Sequence, residues 1–154
     1  MLGYDIRVWV DVLSARTAVK SLDLEIGFVS REATELAIVA SELGSNILKY
    51  GRYGKLSAKA LGMSSPSPRG KGIEILARDY GPQFHDLATA LKDGHDDRGP
   101  LDPLQLLSRK GIGGGLGAVL RLTHCFNVRP LAEGKEIVVE RYLNRVGLGA
   151  QASR

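Results

Sequence analysis

Three polar residues in the segment ELGSNILKYG have the types and spacing to perform chemistry. Glu42, Asn46 and Lys49 stand at i, i+4 and i+7, so a helix would place them on one stripe. A carboxylate there can accept a proton, an amide oxygen can bind a hard cation, and an ammonium can contact a phosphate. The same spacing is typical of the solvated face of an amphipathic helix, so this motif alone leaves both interpretations open.

An aspartate at the end of an apolar strand is the second candidate. Ile73 and Ile75 lie on one face of the predicted strand, and Asp79 continues that face. A buried carboxylate without a donor is costly, so Asp79 needs a partner, and the exocyclic amine of an adenine is one candidate. The alternative, which this motif alone favours, is a turn aspartate that accepts a hydrogen bond from its own backbone before Gly81 and Pro82.

A glycine-rich segment before a predicted helix, KGIGGGLG, is the third candidate. Backbone amides without side chains can approach an anion closely, and the N-terminus of a helix adds a favourable dipole. The spacing fits neither a Walker loop nor a Rossmann loop, and five glycines in seven residues exceed what a hinge requires. Phosphate contact is therefore the favoured interpretation. The glycines are Gly111, Gly113, Gly114, Gly115 and Gly117.

Hydrophobic periodicity predicts the elements that must position these residues. Alternation indicates strands, and apolar steps of three and four indicate helices. Two helices, then paired strands, then a helix and a strand predict a mostly antiparallel sheet with helices on one face. The predicted elements are a strand over 5–10, helices over 11–28 and 30–51, strands over 55–61 and 73–80, a short helix over 84–91, a helix over 116–125 and a strand over 136–142.

Composition narrows the class of protein. A chain of 154 residues with 44% apolar residues fits one domain with a real core. The net charge of +4 comes from scattered lysines and arginines, which favours a solvated surface over a nucleic-acid interface. The single Cys125 cannot form an intrachain disulfide, and no apolar stretch approaches the roughly twenty residues of a membrane span. We therefore expect a cytoplasmic protein that binds neither nucleic acid nor a membrane.

The order of the three motifs along the chain resembles the Bergerat-fold (GHKL) ATPases. Their N box resembles ELGSN at 42–46, their first glycine box resembles DYG at 79–81, and their second resembles GIGGGL at 111–116. Within that superfamily the chain most resembles the anti-sigma-factor serine/threonine kinases, especially the stressosome switch-kinase branch. This resemblance implies a two-layer α/β sandwich in which ATP lies between the helices and a mixed, mostly antiparallel sheet.

The resemblance also implies a domain plan. Residues 1–154 would form a single ATPase domain with its core over 5–143. A flexible ATP lid would span about 92–112, and a frayed tail would follow over 144–154.

Each candidate residue receives a role from the resemblance. Glu42 would be the base that takes the proton from a partner's hydroxyl, Asn46 would hold Mg²⁺, and Asp79 would receive the adenine amine. Lys49 would neutralise phosphate charge. The remaining implied nucleotide contacts are Gly81, Arg109, Lys110, Gly111, Gly113, Gly114, Gly115, Leu116 and Gly117.

Taken together, the resemblance predicts an ATP- and Mg²⁺-dependent serine/threonine protein kinase that phosphorylates a STAS-domain partner in a bacterial partner-switching pathway. A phosphatase or a sigma factor is a further candidate partner, and a homodimer is compatible with this function. The alternative is a non-catalytic switch module that uses ATP only as a conformational clamp. Two departures from the family pattern favour the alternative slightly: the long lid, and Gln83 where a glycine usually stands. The pair Gly134-Lys135, in place of the family's Gly-Thr, is a third departure.

Overall fold

Alternating apolar residues place one face of a β-sheet against two long helices. The computed structural model describes residues 1–65, 67–84, 87–91, 95–96, 99–100, 115–143, 145–150 and 152–153. In chain order the elements are β1 (Leu2–Ile6), α1 (Trp9–Ile26), α2 (Ser30–Tyr50), β2 (Gly54–Leu61), β3 (Gly72–Asp79), α3 (Leu87–Ala90), β4 (His95–Asp96), β5 (Gly99–Pro100), α4 (Leu116–Arg121), β6 (Cys125–Pro130), β7 (Lys135–Tyr142) and β8 (Ala152–Ser153).

The main sheet has the strand order β1-β2-β3-β7-β6-β8 within the described ranges. Neighbouring strands are antiparallel, except that β6 and β8 are parallel. Strands β4 and β5 form a separate two-stranded sheet. Helices α1 and α2 pack against each other and against β1, β2 and β3. The predicted fold class, an α/β sandwich with a mostly antiparallel sheet, is confirmed.

The core lies between this helical layer and the inner face of the sheet. Ile73 and Ile75 of β3 are fully buried, as are Leu43 and Ile47 of α2. Fully burying a side chain of this size contributes about 1.5–3 kcal/mol, so each of these residues helps to hold α2 on the sheet. Because the apolar stripe of α2 must face the sheet, it fixes the rotation of α2 about its own axis. That rotation also fixes the direction of the polar residues next to the stripe.

The predicted strand over 5–10 is wrong in its second half. Strand β1 ends at Ile6, and α1 begins at Trp9. The carboxylate of Asp11 accepts hydrogen bonds from the backbone N–H groups of Arg7 and Val8, at 2.9 and 3.0 Å. The bond from the N-cap residue Val8 satisfies a donor at the start of the helix, and both bonds lower the pKa of Asp11. The chain therefore enters a helix where its alternation predicted a strand.

Helix α2 begins and ends close to its predicted limits. Ser30, predicted as the cap, is the first helical residue, and Glu32 instead reaches back to accept the Val29 N–H at 3.1 Å. The helix ends at Gly51 as predicted, and the Gly51 N–H donates to the Ile47 carbonyl at 2.9 Å. The end at Gly51 matters for the site, because it sets where α2 meets β3.

The predicted helix over 116–125 is too long, and strand β6 was not predicted. Helix α4 ends at Arg121, and β6 begins at Cys125. Phe126 and Val128 face the core, at 1% and 3% exposed. This alternation is short, so the sequence gives it little weight, and pairing with β7 stabilises it in the fold.

The described part of the tail, over 145–150 and 152–153, contacts the rest of the domain. The Ala150 N–H lies within hydrogen-bonding distance of the carbonyls of Leu120, at 2.9 Å, and Thr123, at 3.1 Å. Ala150 is itself buried, and β8 pairs with β6. The tail returns to the sheet because it supplies donors to carbonyls at the end of α4.

Within the described ranges, no helix is long and apolar enough to cross a membrane.

Candidate nucleotide site

Two of the three candidate residues on α2 are buried. Glu42 is 1% exposed and Asn46 is 8% exposed, whereas Lys49 in the last turn is exposed. A solvated helix face is therefore excluded for Glu42 and Asn46. The fold has buried a carboxylate and an amide on the same side of one helix, and such burial is costly unless hydrogen bonds or an ion compensate for the lost water.

The C-terminal end of α2 lies directly against the end of β3. A Cβ atom at Gly51 would lie 2.5 Å from the Asp79 Cβ, and one at Gly81 would overlap the carbonyl oxygen of Tyr50. The Tyr80 N–H donates to the Gly51 carbonyl at 3.3 Å. Glycine is required at 51 and 81 because the two backbones approach too closely for a side chain.

This contact places the candidate residues in a row. Asn46 and Glu42 precede Gly51 on α2 by five and nine residues. At 1.5 Å per residue they lie about 7.5 and about 13.5 Å along the helix axis from the end that touches Asp79. A nucleotide that places its base at Asp79 could therefore extend its phosphates along α2 toward Asn46 and Glu42.

The carboxylate of Asp79 is buried and has two donors within the chain. The Gly81 N–H donates to Oδ1 at 2.9 Å, which confirms the turn hydrogen bond that the sequence predicted. The Lys135 ammonium is the second donor, with Nζ 3.1 Å from Oδ2 and 3.2 Å from Oδ1. The two side chains are 2% and 3% exposed, so this is a buried ion pair.

Lys135 was not predicted as a site residue. It is the first residue of β7 and lies opposite Asp79 in the sheet register. Its Nζ also donates to the Pro82 carbonyl at 2.9 Å and stands 5.0 Å from the centre of the Phe84 ring. The sequence does hold a signal, because Lys135 begins the face that Ile137 continues, and a lysine on a buried face requires an anionic partner.

The turn before β7 also contacts Asp79. Gly134 has φ of 94°, and a Cβ atom there would overlap the carbonyl oxygen of Asp79. The side-chain amide of Gln83, one of the departures from the family pattern, donates to the Gly134 carbonyl. Gln83 therefore ties the turn at Gly134 to the segment that follows Asp79.

Replacing Gly134 with alanine is expected to lower the free energy of unfolding by at least about 3 kcal/mol, because strain and overlap with the Asp79 backbone add together. Gly147→Ala is the matched control, since Gly147 has φ of 85° and none of the described residues has an atom within 4 Å of the added Cβ. That control should lose only about 1 kcal/mol, the cost of the left-handed backbone alone. Urea denaturation of both variants measures the difference, and equal losses would contradict the close contact.

The glycine-rich segment is described only at its end. Gly115 precedes α4 with φ of 60°, Leu116 and Gly117 are buried, and α4 packs against α2. Gly117 and Leu116 are thus brought to the helix that carries Glu42 and Asn46. The predicted contacts Arg109, Lys110, Gly111, Gly113 and Gly114 lie outside the described residues, as does the lid over 92–112 apart from β4 and β5.

The buried polar residues of α2 offer oxygen donors to a hard cation. Within these ranges, no group of three His, Cys, Asp or Glu side chains could hold a metal ion by itself. In nucleotide sites, however, Mg²⁺ takes only one or two protein oxygens together with phosphate oxygens and water. The buried side-chain oxygen of Asn46 fits that donor set.

The fold is an α/β sandwich in which the helix with the buried Glu42 and Asn46 ends against Asp79, at the end of β3. The chain matches no protein-family model. It is 30% identical over 135 residues to the serine/threonine-protein kinase RsbT of Bacillus subtilis strain 168, a match that covers 86% of this chain and 90% of RsbT. This chain therefore belongs to the family of anti-sigma-factor switch kinases.

Proposed function

We propose that this chain is an ATP-dependent serine/threonine protein kinase that phosphorylates a STAS-domain partner in a bacterial partner-switching pathway. The observation that carries the proposal is the burial of Glu42 and Asn46 on the helix that ends against Asp79. The similarity to RsbT, a serine/threonine-protein kinase, supports the same reaction class.

In this function Glu42 accepts the proton of the partner's serine or threonine hydroxyl. Phosphoryl transfer depends mainly on positioning and on stabilisation of charge, and a buried carboxylate on a rigid helix meets the first requirement. Asn46 is one turn away and would hold Mg²⁺, which supplies neutralisation of the phosphate charge when bound. Lys49 is the proposed contact for further phosphate charge.

At the other end of α2, Asp79 is the proposed acceptor for the exocyclic amine of adenine. Gly51 keeps a side chain away from this carboxylate, because a Cβ atom there would lie 2.6 Å from the carboxyl carbon of Asp79. The amides of Gly115 and Gly117, together with the preceding glycines, Arg109 and Lys110, are the proposed phosphate contacts.

The buried ion pair of Asp79 and Lys135 favours a second candidate function. A carboxylate that an ammonium already holds is less available to a base than one with a neutral neighbour. The alternative is therefore a switch module that binds a STAS protein or a phosphatase and does not transfer phosphate. A sigma factor as partner and a homodimer are compatible with both functions.

Incubation with γ-labelled ATP, Mg²⁺ and a STAS protein encoded nearby tests the proposal. We expect label on a serine or threonine of the partner, and Asp79→Asn should weaken ATP binding by about tenfold or more, since a charged acceptor is lost. Asp5→Asn, at an exposed position of β1, is the control. Tight ATP binding without transfer to any STAS protein would favour the switch module. Unchanged ATP affinity in Asp79→Asn would contradict the placement of adenine.

A further inference from the structure

The ammonium nitrogen of Lys135 stands where a base amine would bind Asp79. Its distances of 3.1 and 3.2 Å to the two carboxylate oxygens fall within the range of N–H···O hydrogen bonds. An exocyclic amine that donates to the same carboxylate must place its nitrogen at a similar distance. The lysine therefore presents to Asp79 the same kind of donor as the nucleotide would.

Little of the acceptor capacity of Asp79 remains. A carboxylate offers about four lone-pair positions. Oδ1 accepts from the Gly81 N–H and from Lys135, and Oδ2 lies 3.1 Å from the same ammonium nitrogen. The pair is also closed from outside, because the Phe84 ring lies over the ammonium and the side chains are 2% and 3% exposed.

We propose that Lys135 is an internal competitor for the base amine and thereby sets the affinity of the protein for ATP. The inference rests on the proposed function, in which Asp79 receives the amine of adenine. A nucleotide must share or displace a buried ammonium, and separating a buried ion pair is unfavourable because it leaves a charge without its partner. Only molecules in which Lys135 has left Asp79 are ready to bind the base amine. The apparent affinity for ATP is therefore the intrinsic affinity multiplied by the fraction of such molecules.

Lys135→Thr separates this role from a purely structural one. Threonine suits a strand and keeps a short hydroxyl donor, but it removes the ammonium. We expect ATP affinity to rise by about tenfold or more. The melting temperature without nucleotide should fall, and the increase in melting temperature caused by ATP should become larger. A lysine that only supported the fold would lower stability without raising ATP affinity.

Inosine triphosphate supplies the matched ligand, since it has a carbonyl where ATP has the amine. The gain in Lys135→Thr should appear for ATP and be absent for inosine triphosphate. Lys59→Thr is the control variant, because Lys59 also forms an ion pair, with Glu74 at 3.5 Å, but is half-exposed on β2. The double variant Asp79→Asn/Lys135→Met replaces the ion pair with neutral side chains and should show no gain.

Calorimetry with both nucleotides distinguishes the outcomes. If the wild-type protein binds ATP and Lys135→Thr binds it no more tightly, the competitor role is overturned while the proposed function stands. An equal gain for inosine triphosphate also overturns it. If no folded variant binds either nucleotide, the proposed function fails together with this inference. Should Lys135→Thr fail to fold, Lys135→Met is measured against the same two ligands, with the same expected gain for ATP alone.

Discussion

Replacing Glu42 with glutamine is expected to slow phosphoryl transfer to the partner by about 10²–10⁴-fold, the usual contribution of a general base. Glutamine has nearly the same size as glutamate but does not accept the hydroxyl proton. Because Glu42 is only 1% exposed, the conservative variant is needed to keep the packing of α2. Single-turnover transfer of label from ATP to the STAS partner measures the chemical step.

ATP binding should survive in Glu42→Gln, because the proposed adenine contact, Asp79, lies near the C-terminal end of α2, away from Glu42. Glu25→Gln, at an exposed position of α1, is the matched control and should transfer label at the wild-type rate. Glu42→Ala combines the loss of the carboxylate with a cavity, so its stability must be measured beside its activity. A wild-type transfer rate in Glu42→Gln would remove Glu42 from the reaction.

Local patterns predicted the elements that hold the site. Apolar steps of three and four placed α2 and its end at Gly51, and strict alternation placed Asp79 on the buried face of β3. Both features are confirmed. They are predictable because the helix period and the strand period depend only on neighbouring residues.

The errors arise where a contact distant in sequence, or a single cap, outweighs the local pattern. The alternation at 5–10 predicted a strand, but the Asp11 carboxylate binds the backbone N–H groups of Arg7 and Val8 and stabilises the start of α1 instead. Strand β6 depends on its partner β7 elsewhere in the chain. Such pairing depends on the register of the whole sheet, which no window of the sequence contains.

The same limit applies to the site. The burial of Glu42 and Asn46 follows from their position beside the apolar stripe of α2. The pairing of Lys135 with Asp79 does not, because the two residues are 56 positions apart and meet only through the register of β3 and β7. The sequence marked Lys135 as a departure from the family pattern, and the fold shows which carboxylate it contacts.

Asp23 of α1 is expected to make the protein less stable as pH rises. It is fully buried, and neither of its carboxylate oxygens has a hydrogen-bond partner among the residues that the structure describes. Burial raises its pKa from the ordinary 3.8 to about 8, and the nearby Arg141 lowers it only in part. The guanidinium of Arg141 is itself held by Glu35 at 2.7 Å and by Glu32 at 3.5 Å.

The sign follows from the two states. Between pH 4 and 8 the unfolded chain has released the Asp23 proton while the native protein still holds it. The native state therefore binds more protons, and the free energy of unfolding falls as pH rises through this range. A pKa rise from 3.8 to about 8 corresponds to a loss on the order of 5 kcal/mol across it, complete once the native carboxyl also ionises.

Asp23→Asn should abolish this loss, because the amide has the same shape and does not ionise. At pH 8 the variant should therefore be more stable than the wild type, and the difference should shrink toward pH 4. Burial also lowers the pKa of His124, but His124 is present in both proteins and its effect cancels from their difference. Urea denaturation at a series of pH values, with the exposed Asp5→Asn as control, measures the effect. Parallel stability curves for Asp23→Asn and the wild type would mean that Asp23 is ionised in the native protein, which its unpartnered burial makes unfavourable.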